Sequence, residues 1–146
     1  MDAFTTPGYD RDTALRLGPA DDRVLMTVEG PDAGGHSSVA LAADWLLPLA
    51  AWFAGEARPA ALGDRPGTLY GVSLDVRGDE TAVVWNTHTW ARLDCVLPFG
   101  TARVQIGPRG RAYASTVFLA PGARLDVAAW LRRDSAEGWT RRELTA

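Results

Sequence analysis

The chain has 146 residues, 47% of them hydrophobic and 23% charged, with a net charge of −3. That length suits one domain with a core that needs no covalent staples, and the balance of apolar to charged residues excludes intrinsic disorder. The acidic excess argues against nucleic acid, whose binders carry a basic face. Every basic side chain is Arg, so there is neither a Schiff-base lysine nor a P-loop lysine to grip a phosphate. The Arg bias points to a GC-rich bacterial genome. Cys95 is alone; it allows no internal disulfide and no cysteine zinc cluster, and a reducing, cytoplasmic setting is expected. The first residues lack the basic start and apolar stretch of a secretory leader. The longest apolar run, residues 45–55, is about half the ~20 residues a membrane span requires.

Residues 1–12 mix Pro, Gly and charge without period and read as a loose arm, followed by a single domain over 13–134 and a tail over 135–146. Strands are expected at 14–17 and 23–28, joined by the turn residues Pro19 to Asp22. A Gly-rich loop spans 30–38, with a short strand at 39–42. A helix then follows, with Asp44 as its cap, Leu46, Leu49, Ala50 and Phe53 on one apolar face, and Gly55 ending it in a left-handed conformation. Trp45 and Trp52 stand a full helical repeat apart on one side.

Residues 55–67 read as a long connection. Tyr70, Val72, Leu74 and Val76 alternate with polar residues in the rhythm of a half-buried strand. Residues 77–80 turn, and 81–85 run back, with Leu74 expected opposite Val83 and Val72 opposite Trp85. Strand-like residues continue to 97, too far for one unbroken strand, so a turn or bulge near 86–89 is expected. The turn 107–110 separates strands at 102–106 and 111–119. Pro121-Gly122 breaks the pattern, and a second helix is expected from Asp126, with Val127, Trp130 and Leu131 inward. The fold class is therefore α+β: mainly an antiparallel meander of about seven or eight strands with two short amphipathic helices. Closure toward a barrel is the alternative.

The candidate site is the polar row Asn86, His88, Trp90, Arg92 and Asp94, which shares one face if 81–97 is extended. Arg92 suits a carboxylate and Trp90 an apolar or cationic ligand. A plain solvated sheet face accounts for the same residues. Cys95 falls in the apolar row and reads as a buried structural cysteine rather than a nucleophile. His36 and His88 are too far apart in the chain to show metal-site spacing. No metal, nucleotide or redox motif is present, and no cofactor is expected.

Two functions fit. The first is a non-catalytic binding domain that meets a protein, a second copy of itself, or a small apolar or anionic molecule through an aromatic-rich surface. Asn86, Trp90, Arg92, Trp45 and Trp52 are its contact residues, and nucleic acid and membrane are not its partners. The second is a small cofactor-free cyclase, isomerase or hydrolase, with His88 as acid or base and Asp94 orienting it.

Overall fold

The computed structural model describes residues 3–9, 12–20, 23–30, 36–56, 60–62, 73–77, 81–85, 88–96, 100–108 and 115–145. Two antiparallel sheets are formed by these residues, each a meander followed by a helix. The first sheet joins β1 (Phe4–Pro7), β2 (Ala14–Ala20), β3 (Arg23–Glu29) and β4 (His36–Leu41) in chain order. A single 3-10 turn, Ala43–Trp45, leads into α1 (Leu46–Phe53). The second sheet has six strands, again in chain order: β5 (Ala60–Leu62), β6 (Ser73–Arg77), β7 (Thr81–Trp85), β8 (Thr89–Val96), β9 (Thr101–Pro108) and β10 (Ser115–Leu119). It is followed by α2 (Pro121–Thr145).

The α+β class and the antiparallel pairing agree with the sequence, but the single meander of seven or eight strands and the barrel do not. The helix after β4 ends one sheet, and the next strand starts another. Each sheet then has one apolar face to bury, and the two faces bury each other. Leu15 and Leu17 of β2, Val24, Met26 and Val28 of β3, and Val39 and Leu41 of β4 come from the first sheet. Leu74, Val84, Leu93, Val104, Ile106, Val117 and Leu119 come from the second, and all belong to one buried cluster. Each such side chain stabilises the fold by about 1.5–3 kcal/mol when fully buried. Ser37 Oγ and Ser115 Oγ, 3.1 Å apart, join β4 to β10 across the two sheets.

The second sheet differs from the expected register by one residue. Leu74 opposes Val84 and Ser73 opposes Trp85. The expected pairing assumed two connecting residues between β6 and β7, whereas Arg77 pairs with Thr81 and leaves three. A one-residue slip exchanges the two faces of a strand. It turns Ala82 and Val84 into the core beside Leu74 and Val76. A second break in parity separates β7 from β8, where Ala91 and Leu93 point inward. Tyr70, Val72, Leu97 and the loop 31–35 lie outside the described residues.

Phe4–Pro7, expected as part of a loose arm, forms a full strand pair with Ala14 to Leu17. Gly8 and Tyr9 then tie this edge to the other sheet. The Gly8 N–H donates to Thr13 O at 2.8 Å, and the Tyr9 N–H donates to Phe118 O at 3.1 Å. A Cβ on Gly8 would stand 2.6 Å from Thr13 Oγ1 and 2.8 Å from Val117 Cγ2. Both neighbours are β-branched and stiff, and Val117 is fully buried.

Helix α1 ends as its sequence implies. Gly55 has φ +75°; its N–H donates to Trp52 O at 3.1 Å and that of Glu56 to Ala51 O at 2.8 Å. This is the Schellman arrangement that satisfies the last carbonyls. Asp44 makes no capping bond at the other end. The 3-10 turn starts at Ala43 instead, where the Trp45 N–H donates to Ala42 O at 3.0 Å, so the entry to α1 is closed by backbone.

Helix α2 starts at Pro121 rather than Asp126 and is 25 residues long, not short. Proline at the first helical position lacks an N–H that would be unpaired there anyway, and its φ is already helical. The pair read as a breaker is thus a start. Starting early places Arg124 on the buried face with Val127, Ala128 and Leu131, the spacing of one helical stripe. Arg124 donates from Nη2 to Trp52 O at 2.9 Å, from Nε to Phe53 O at 3.1 Å, and from Nη1 to Gly100 O at 3.2 Å. Its Cζ lies 4.9 Å from the Trp52 ring centroid.

Replacing Arg124 with Met would leave Phe53 O and Gly100 O without that donor inside the protein. Urea unfolding of R124M is expected to show a loss of about 2–4 kcal/mol. Gly8→Ala should cost about 1–3 kcal/mol through overpacking at the sheet joint, read in the same assay. Wild-type stability in G8A would show that the joint yields freely.

Candidate functional site

With the inner faces buried, polar and charged side chains gather on the outer faces, and the carboxylate shared by two arginines lies on that of the six-stranded sheet. Alternation in β8 and β9 sends Ala91, Leu93, Ala102, Val104 and Ile106 inward, and Trp90, Arg92, Asp94, Arg103 and Gln105 outward. The register aligns these residues in rows across the strands. Thr81, Asp94, Arg103 and Phe118 form one row, and Val83, Arg92, Gln105 and Thr116 the next. Neighbours within a row have Cβ atoms about 5 Å apart.

Asp94 sits at the centre and is almost out of solvent, its side chain 9% exposed. Oδ1 accepts from Arg92 Nε at 3.1 Å and from Thr81 Oγ1 at 3.3 Å, while Oδ2 accepts from Arg103 Nη2 at 3.1 Å. The arginines themselves remain in contact with water, 54% exposed for Arg92 and 36% for Arg103. The carboxylate is a fixture, and the two guanidiniums it holds present their charge outward. Arg103 Nε is buried and has no hydrogen-bond partner among the described residues. Such an unpaired donor carries a desolvation cost. Gln105 Nε2 reaches Thr116 Oγ1 at 3.4 Å, which extends the polar surface to β10.

Two exposed aromatic residues border the arginines. Phe118 is the cross-strand neighbour of Arg103 and is 41% exposed. Tyr9, 54% exposed, reaches from its backbone bond with Phe118 to Thr101, its Oη 3.3 Å from Thr101 Oγ1. Thr101 lies two residues before Arg103 on the same side of β9. The patch therefore runs from Tyr9 through Phe118 and Arg103 to Asp94 and Arg92.

This placement brings together only part of the residues singled out from the sequence. Trp90, Arg92 and Asp94 share the outer face; Trp90 is partly buried and pairs in register with Trp85 and Gly107. Asn86 lies outside the described residues. His88 is exposed at a bend before β8. Asp94 lies six residues further along, about 20 Å of extended chain, and is held by other groups. Trp45 and Trp52 are fully buried and unavailable to a partner. Their side of α1 faces the core, where Trp52 meets Phe53 edge-on at 5.1 Å. Cys95, expected in the core, is exposed: β8 nears its end there, and Sγ lies 3.5 Å from Arg124 Nη1. Among the described residues no group of three or more His, Cys, Asp or Glu is placed to hold a metal ion. No helix formed by them is long and apolar enough to cross a membrane.

Arg103, Phe118 and Tyr9 were missed. The alternation of 102–106 already put Arg103 opposite Val104, but its meeting with Asp94 needed the β8–β9 register. Phe118 looked like one more strand hydrophobic, and Tyr9 part of a loose arm.

The architecture is a pair of antiparallel meanders, each followed by a helix. It is similar to the solved Trypanosoma bruciei MRP1/MRP2 structure, with a TM-score of 0.59, 16% identity, and coverage of 94% of this chain and 87% of that one. At that identity the likeness concerns the fold alone. No family model matches the chain, and no curated protein matches it.

Asp94→Ala removes the shared acceptor of two arginines and a threonine. It is expected to cost about 1–3 kcal/mol, measured by denaturant unfolding. An Asp94→Ala protein as stable as wild type would mean that the row is not held together by this carboxylate.

Proposed function

We propose that this chain is a non-catalytic binding domain that takes its partner, a protein or a small molecule with an anionic group, on the outer face of the larger sheet. The observation that carries the reading is the pair of half-exposed arginines sharing one nearly buried carboxylate. Arginines held in position lose little freedom when they meet an acceptor, and Arg and Tyr are residues typical of binding hot spots. The exposed rings of Phe118 and Tyr9 beside them add apolar contact area. The lone cysteine and the Arg-rich composition support a reducing bacterial cytoplasm as its setting in this reading.

The alternative, a small cofactor-free enzyme, asks for His88 and a carboxylate within hydrogen-bond reach. The engagement of Asp94 by Arg92, Arg103 and Thr81 weighs against it.

The test is affinity capture from a lysate of the source organism, comparing wild type with an Arg92→Ala/Arg103→Ala double variant and with His88→Ala. A partner held by wild type and by His88→Ala, and reduced about tenfold or more by the double variant, is the expected result. A partner lost with His88→Ala but kept by the double variant would reject the outer face as the docking site.

A further inference from the structure

We infer that the group recognised on this face is a carboxylate of an acidic protein segment, seated between Arg92 and Arg103 with an apolar neighbour on Phe118 and Tyr9. This rests on the binding reading above and names the partner's chemistry.

The charge count selects the ligand. Arg92 and Arg103 bring two positive charges to the patch, and Asp94 neutralises one. One net positive charge remains, suited to one carboxylate. A polyanion such as single-stranded nucleic acid wants a longer basic track, and the chain as a whole is acidic at −3. The nearly buried Asp94 anchors both arginines from below, while their exposed sides face solvent, where an incoming carboxylate finds a planar fork of donors. Among the described residues the Arg103 Nε–H also has no partner. A modest swing of this partly exposed side chain would offer that N–H to a bound oxygen and remove the cost of leaving it unmade.

The apolar part follows from register. Phe118 neighbours Arg103 directly across the β9–β10 pair. Tyr9 spans from Phe118 O to Thr101, so two exposed rings border the fork on one side. A peptide in extended form repeats its side chains every two residues, about 6.6–7 Å. That is a little over the ~5 Å between row neighbours, so an acidic and an apolar side chain two apart can meet Arg103 and Phe118 together.

The experiment is an NMR titration of the isotope-labelled full chain with three probes at one ionic strength. They are a blocked pentapeptide alternating glutamate and leucine, its glutamine analogue, and an oligothymidylate. The acidic peptide is expected to shift the Arg92 and Arg103 side-chain signals and the backbone of β8 to β10. Arg103→Gln should weaken it about tenfold, and Phe118→Ala, which leaves the ion pairs in place, several-fold.

Equal binding of the glutamine analogue would overturn the carboxylate while leaving the docking face standing. Tighter binding of the oligothymidylate at β8 to β10 would overturn the protein partner. Absence of any shift on this face with all three probes would overturn the inference outright, and the capture experiment then decides the binding reading separately.

Discussion

A buried guanidinium holds the two halves of this protein together. Arg124 enters from the first turn of α2 and meets the carbonyls of Trp52 and Phe53 at the end of α1, and that of Gly100 between β8 and β9. A buried cation is costly unless it is compensated. Here the compensation comes from the negative end of a helix, three carbonyl oxygens and the face of Trp52. Gly100 makes the approach feasible. Its φ of +88° is a glycine conformation, and a Cβ there would stand 3.0 Å from Pro121 Cγ. Where α1 stops, where the β8–β9 connection passes and where α2 starts are thus one problem with one solution. The exposed ion pair of Arg132 with Glu56 repeats the link one stripe further along, where solvent makes it weak.

The outer face is a consequence of what the inner face requires. Burial of Ala91, Leu93, Val104 and Ile106 leaves no choice for Trp90, Arg92, Asp94, Arg103 and Gln105, which must point the other way. Asp94 would be a liability there if it were unpaired, since it is nearly out of solvent. The β8–β9 register sets Arg103 directly beside it, and the two-residue rhythm of β8 supplies Arg92. The patch that results is well ordered by its own hydrogen bonds and still open to a partner on the arginine side.

Much of this was legible in the chain itself. Gly55 announces the end of α1 because few other residues adopt its backbone angle without strain. Leu46, Leu49, Ala50 and Phe53 announce its buried face by their spacing, and the strand alternation of Leu74 and Val76 survives intact. What misled was inference across turns. The polar row from Asn86 to Asp94 was a shared face only if 81–97 ran as one strand, and His88 stands at a bend before β8; even on one strand a shared face is not a shared site, because residues six apart are about 20 Å distant. Trp45 and Trp52 suggested a surface because tryptophan marks hot spots, yet α1 is packed so completely that both rings became core.

Local chemistry by itself determined the α+β class, the antiparallel pairing and the C-terminal cap of α1, because these follow from residues that are neighbours in the chain. Only the tertiary structure decided that there are two sheets, that three residues rather than two connect β6 to β7, and that Pro121 begins a helix. It alone brought Tyr9 beside Phe118 and Arg103 beside Asp94. The reason is physical. Strand period and capping cost or stabilise locally, whereas register, sheet division and cross-strand pairing are set by which apolar faces can be buried against each other, and that is a property of the whole chain.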